Sequence, residues 1–157
     1  MDYKSSLMKI TEDYITSKGW SSAINDADQF IVSELELDNE MGSVPFILVP
    51  TDDGIVSYAT LRDEILPEMY PTVAEYLHRA NYGLLNGCFE LDYANGSVQY
   101  RTFCCCLNGR EPSDADLDML FAVPLAVLNR YIDGLRQILN GTAKDAYELI
   151  AQSEAEQ

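Results

Sequence analysis

The sequence predicts an α+β domain in which an antiparallel β-sheet is covered by helices, in the order α-β-β-β-α-β-β-α-α. Three observations carry this. Segments of helical period open the chain, interrupt it once and close it. Between them lie two strand-like stretches, one containing an Asp-Gly and the other an Asn-Gly turn signal. No linker, internal repeat or low-complexity block divides the 157 residues, so 1–157 reads as one domain.

Residues 2–18 form the first predicted helix. Tyr3, Leu7, Ile10 and Tyr14 recur on one stripe, Met8 and Ile15 widen it, and Gly19 offers a stop. Residues 22–61 read as a meander of three strands, or four. In Gln29–Leu37, Phe30, Val32 and Glu34 point one way, while Ile31, Leu35 and Leu37 are read as out of strict phase. The polar run 38–43 is a turn, and Val44–Val49 is apolar enough for a central strand, with Pro45 at its start or at an edge. Asp53-Gly54 closes a hairpin into Ile55–Leu61. Pro67 and Pro71 open a second helix at 68–86, with Val73, Leu77, Ala80 and Leu84 as its apolar stripe and Glu75/Arg79 as an i,i+4 pair outside it.

Residues 88–107 are the clearest hairpin. A two-residue type I′ turn at Asn95-Gly96 would pair Tyr93 with Val98, Leu91 with Tyr100 and Glu90 with Arg101. One face then carries Phe89, Leu91, Tyr93, Val98, Tyr100, Cys104 and Cys106, a core face. The other is polar near the turn (Glu90, Asp92, Gln99, Arg101) but apolar at its far end, where Cys88, Phe103, Cys105 and Leu107 lie. That end is expected to be covered on both sides. A kinked helix follows at 113–139, started by a Ser113/Asp116 capping box and keeping its buried stripe through Pro124. Around the proline, Met119, Val123 and Ala126 make the opposite side apolar too. A last helix at 143–153 is capped by Thr142 and Asp145, with Ala146, Leu149 and Ile150 apolar.

Charge excludes several functions. Ten basic residues against 26 acidic ones give −16 with the single histidine neutral. Binding to nucleic-acid backbones or to anionic membrane surfaces needs the opposite balance. No apolar run is long enough to span a bilayer, and the N-terminal residues lack the basic and apolar regions of a signal peptide, which points to the cytoplasm.

Candidate chemistry is sparse. Cys104, Cys105 and Cys106 lie in succession, with Cys104 and Cys106 sharing a face and Cys105 pointing away. They read as small thiols filling a core strand; the alternative is a thiol- or metal-dependent sensor using the Cys104–Cys106 run, although no second Cys/His cluster completes a zinc site. His78 has no nucleophile motif beside it and reads as a surface residue. Asp114, Asp116 and Asp118 resemble the start of a calcium loop, but Met119 and Leu125 stand where glycine and glutamate are needed. No phosphate-binding glycine loop occurs. Neither a catalytic residue nor a cofactor is expected, and the chain reads as a non-enzyme.

The two-faced apolar elements are more informative. Cys88, Phe103, Cys105, Leu107, Met119 and Val123 are the candidate contact residues for a protein partner or a second copy of the chain.

In this order of elements the chain resembles the YbjN family of sensory-transduction regulators, which share the fold of type III secretion chaperones. The likeness is carried by Asn81, by Gly87-Cys88-Phe89-Glu90-Leu91-Asp92, by Asn95-Gly96 and by Val98-Gln99-Tyr100-Arg101, and it spans about 65–150. The triple cysteine departs from the family pattern. The resemblance implies a helix-covered antiparallel sheet, often in a homodimer, and a module of chaperone-like or regulatory character that binds non-globular segments of partner proteins through apolar patches. It implies no catalytic residue.

Overall fold

The computed structural model describes residues 2–142 and 145–155. Helix α1 (Tyr3–Ser17) begins at Asp2, whose carboxylate accepts from the Ser5 N–H at 2.8 Å. It is followed by β1 (Ala23–Asn25), β2 (Phe30–Glu36), β3 (Ser43–Pro50) and β4 (Gly54–Thr60), then α2 (Tyr70–Asn81), β5 (Cys88–Leu91), β6 (Val98–Cys105), α3 (Asp114–Leu139) and α4 (Ala146–Ala155). The α+β class is as the sequence predicts, with a fourth strand in the 22–61 meander. Of the last predicted helix, 143–144 lie outside the described residues; Asp145 caps α4 by accepting from the Glu148 N–H at 2.8 Å.

All strand pairs are antiparallel, in the order β1-β2-β3-β4-β6-β5. Period-2 alternation sends Ile31, Leu35, Val44, Phe46, Leu48, Ile55, Ala59, Phe89, Val98 and Tyr100 to one face, where all are buried with residues of the four helices. Ile31, Ser33, Leu35 and Leu37 therefore do keep phase. Ser33 disguised it, and its buried hydroxyl donates to the Ser21 carbonyl at 2.8 Å. Pro45 sits where the pairing of β3 with β4 ends, at Phe46 opposite Ala59, so its missing N–H costs no ladder bond there.

Helix α3 runs unbroken through Pro124, and the Ser113/Asp116 capping box starts it. Tyr14, Trp20, Phe46 and Phe121 pack with ring centroids 4.9–6.3 Å apart and join α1, β3 and α3. Farther along α3, Gly134 leaves room for Tyr76 of α2: a Cβ there would overlap the phenol, whose hydroxyl donates to the Tyr131 carbonyl at 2.6 Å.

Two predicted boundaries move, each for a local reason. Helix α2 stops at Asn81 rather than 86. The Asn81 amide turns to β5, accepting from the Phe89 N–H at 2.7 Å and donating to the Phe89 carbonyl at 3.0 Å, and Gly83 adopts φ +85°. The hairpin register also slips by two: Leu91 pairs with Val98, Glu90 with Gln99 and Phe89 with Tyr100. Only Gly96 of the Asn95-Gly96 pair has positive φ, so a type I′ turn is excluded. A longer loop forms instead, held by Asp92 on the Ala94 N–H and Asn95 on the Ser97 N–H. It docks on Ile65, whose N–H donates to the Gly96 carbonyl at 2.8 Å, so close that a Cβ on Gly96 would strike the Ile65 backbone. A slip of two preserves parity, so Phe89, Leu91, Val98 and Tyr100 stay on one face, as expected. Tyr93 leaves it, lying in the loop stacked on Tyr70.

Asn81→Ala is expected to destabilise the domain by about 1–3 kcal/mol, because it leaves both polar groups of Phe89 without their partner. Asn81→Asp, which keeps the acceptor and loses the donor, should fall between wild type and alanine; urea unfolding followed by circular dichroism measures both.

Candidate protein-binding surface

Because every helix packs on one side, the alternate residues of the strands face away from the core. Ladder pairs place Val32, Ile47, Tyr58, Arg101 and Cys88 in one row across the sheet. A second row holds Val49, Val56 and Phe103. Val32, Ile47, Val49, Val56 and Tyr58 are half-buried, Phe103 is 38% exposed, and none belongs to the core cluster or packs against it. Their partial burial comes from neighbours on the same pleated surface. The expectation that the far end of the hairpin is covered on both sides is corrected: Phe103, Cys105 and Leu107 are exposed there.

The six candidate contact residues separate into three groups. Phe103 and Cys105 lie on the open face, and with Met119 they line a cleft of about 250 Å³ between the end of β6 and the start of α3. Asn86, Arg110 and Asp116 complete its polar side. Cys88 and Leu107 lie outside the cleft. Cys88 stands on the open face, where Arg101 Nη2 approaches its Sγ at 3.6 Å, and Leu107 is exposed in a short 3₁₀ turn at 107–109. Val123 is half-buried and packs against the core cluster. The structure adds Val32, Ile47, Val49, Val56 and Tyr58, which sequence reasoning missed. The signal was present: Val44–Val49 carries large apolar residues at both parities.

β5 ends opposite Arg101, leaving the cleft edge of β6 without a neighbouring strand at Phe103 and Cys105. Arg110 closes part of this edge, donating from Nη2 to the Cys105 carbonyl at 2.6 Å and from Nη1 to Asp116 at 2.7 Å. Arg110 and the Ser113 groups hold the Asp116 carboxyl down to about 2. Asp118 is also occupied, accepting from Tyr14 and from Lys18 Nζ, the latter at 2.9 Å.

Carboxylates frame the open face. Glu34, Glu36 and Glu90 belong to it, and Asp26, Asp28, Asp52 and Asp53 lie in the turns at one end of its strands. Its two arginines are engaged. Arg62 makes a two-pronged contact with Glu34 at 2.8 and 3.0 Å, and Arg101 meets Glu90 at 2.7 Å.

Cys104 and Cys106 face inward with their sulfurs 3.7 Å apart. Burial, reinforced by the Cys106 thiol, pushes Cys104 up from 9.0 to about 12. A thiol in that state is a poor nucleophile and a poor metal ligand, since both roles need the thiolate. Cys105 is the exposed member of the run. His78 is exposed on the outside of α2, beside a groove of about 380 Å³ that runs along Phe89 and Leu91 of β5.

Thiol titration of the native protein should show Cys105 reacting fast, Cys88 slowly and Cys104 with Cys106 only on unfolding, reaching four thiols in denaturant. Fast reaction of two native thiols that Cys105→Ser does not reduce to one would contradict this burial.

At the start of β5, Asn81 clasps the strand, and Gly87 adopts φ +83° against Arg101 and Thr102. No family model matches the chain, and no curated protein matches it significantly.

Proposed function

We propose that this is a non-enzymatic protein-binding module of chaperone-like or regulatory character. The observation that carries the reading is the uncovered apolar sheet face, continuous through Phe103 with the cleft at Met119. Contiguous apolar surface of this kind, rimmed by charge, is where soluble domains receive partners. No helix among the described residues is long and apolar enough to cross a membrane, and the four cysteines are free, which supports a reducing compartment such as the cytoplasm. The sensor reading of Cys104–Cys106 is weaker, because the paired thiols are buried and one is held protonated.

The homodimer implied by the YbjN resemblance is a second reading with its own observation. Tyr82 is 91% exposed and Leu85 fully so in the loop between α2 and β5. A second copy docking on that side would leave the sheet face free for a partner.

Two measurements test these readings. A stoichiometric amount of the protein should suppress light scattering by a chemically unfolded client, and Ile47→Ser/Phe103→Ser should lose at least about half of that effect with its circular dichroism unchanged. No suppression by wild type, or equal suppression by the variant, would overturn the module reading. Sedimentation at micromolar concentration should show a dimer that Leu85→Asp dissociates; a wild-type monomer would sink the dimer.

A further inference from the structure

The open sheet face also specifies what it would take. A sheet face, unlike an edge, offers a ligand no backbone groups, so its occupant must satisfy its own backbone hydrogen bonds. A helix does so within one segment. Together the two apolar rows, Val32–Ile47–Tyr58 and Val49–Val56–Phe103, extend from β2 to β6, three strand spacings or about 14 Å, which matches about ten residues of helix at 1.5 Å rise. A helix lying along these rows has its two flanks pointing toward the two ends of the strands. One flank would meet Asp52 and Asp53, the other Glu34 and Glu36.

The charges on those rims select the flanks. Asp26, Asp28, Glu36 and Asp53 make no ion pair among the described residues. The only arginines of the face are already bonded to Glu34 and Glu90. A second copy stacked sheet to sheet would press like rims together, with −16 on each chain. Anionic lipid surfaces are repelled in the same way. From this juxtaposition of an uncovered apolar face and a carboxylate rim on both flanks, we infer that the partner segment is a cationic amphipathic helix, with an apolar stripe and Lys or Arg on either side. This rests on the protein-binding reading and names its partner class.

The test uses a fluorescein-labelled, amidated Leu/Lys peptide of about 18 residues with Leu at helical spacing, a helix of about 27 Å. Two controls accompany it: the same composition scrambled, and the same pattern with Glu in place of Lys. Anisotropy titrations with the full chain should show binding of the Leu/Lys peptide, at least about tenfold weaker for either control, a difference of about 1.4 kcal/mol. Raising salt from about 50 to about 500 mM should weaken it, because the rim pairs are exposed. Val56→Ser/Phe103→Ser should weaken it by at least about tenfold, and Glu36→Gln/Asp53→Asn by a smaller factor with less salt dependence. Glu148→Gln/Glu154→Gln, on α4, should leave it unchanged.

Equal binding of the scrambled peptide would mean general attraction of a polycation to an acidic chain and overturns the inference. Equal binding of the Glu peptide leaves the apolar surface standing and overturns the cationic partner alone. A dimer that Ile47→Lys dissociates would show a second copy on this face and also overturns it. Failure of every peptide together with failure of client suppression removes the protein-binding reading itself.

Discussion

The architecture depends on one constraint. A strand presents alternate residues to opposite sides, and here one side only receives helices. Everything buried is organised by that layer. The aromatic cluster of Tyr14, Trp20, Phe46 and Phe121 draws α1 and α3 onto β3. The Tyr76 hydroxyl, seated against Gly134, ties α2 to α3. α4 then packs on both α2 and α3. What remains is a six-stranded surface whose apolar side chains are not covered by a second layer. The absence of a second layer, rather than any special residue, produces the exposed apolar face.

The distribution of charge is the complement of that geometry. A domain carrying an apolar face needs something to limit association with itself, and a −16 chain with acids in its turns and strand ends supplies it. The arginines on the face do not dilute this, because Arg62 and Arg101 are held by carboxylates of the same face. The cysteines fit the same division. Cys104 and Cys106 serve as packing on the inner side, while Cys105 takes the outward parity and stays reachable.

Local patterns made the helix starts, the core parity of the hairpin and the stripes of α1 and α3 legible in the sequence. Ser113 with Asp116, and Asp145, act through neighbours within three residues, so spacing alone reveals them. What was not legible depended on contacts distant in sequence. The hairpin register was set by Gly96 docking on the backbone of Ile65, which no reading of Asn95-Gly96 contains. The end of α2 was set by Asn81 turning from helix to strand. Of the candidate surface, Phe103, Cys105 and Met119 were found from apolar character on two faces, and Val123, from the same reasoning, is half-buried against the core. Val32, Ile47, Val49, Val56 and Tyr58 were missed because a strand apolar on both faces reads as central in the core. Only the placement of all four helices on one side shows otherwise.

The Asn81 clasp has a consequence beyond stability. A sheet can grow without limit by adding strands at its margin, and a chain with a sticky face is at particular risk if its margin is open as well. Asn81 occupies the outward N–H and carbonyl of Phe89 as a neighbouring strand would. At the opposite margin β1 offers only three residues. Lateral polymerisation is thus blocked at one end and starved of length at the other. The apolar face is thus the larger surface on which another molecule could settle, and a molecule that covered it would leave no template for the next.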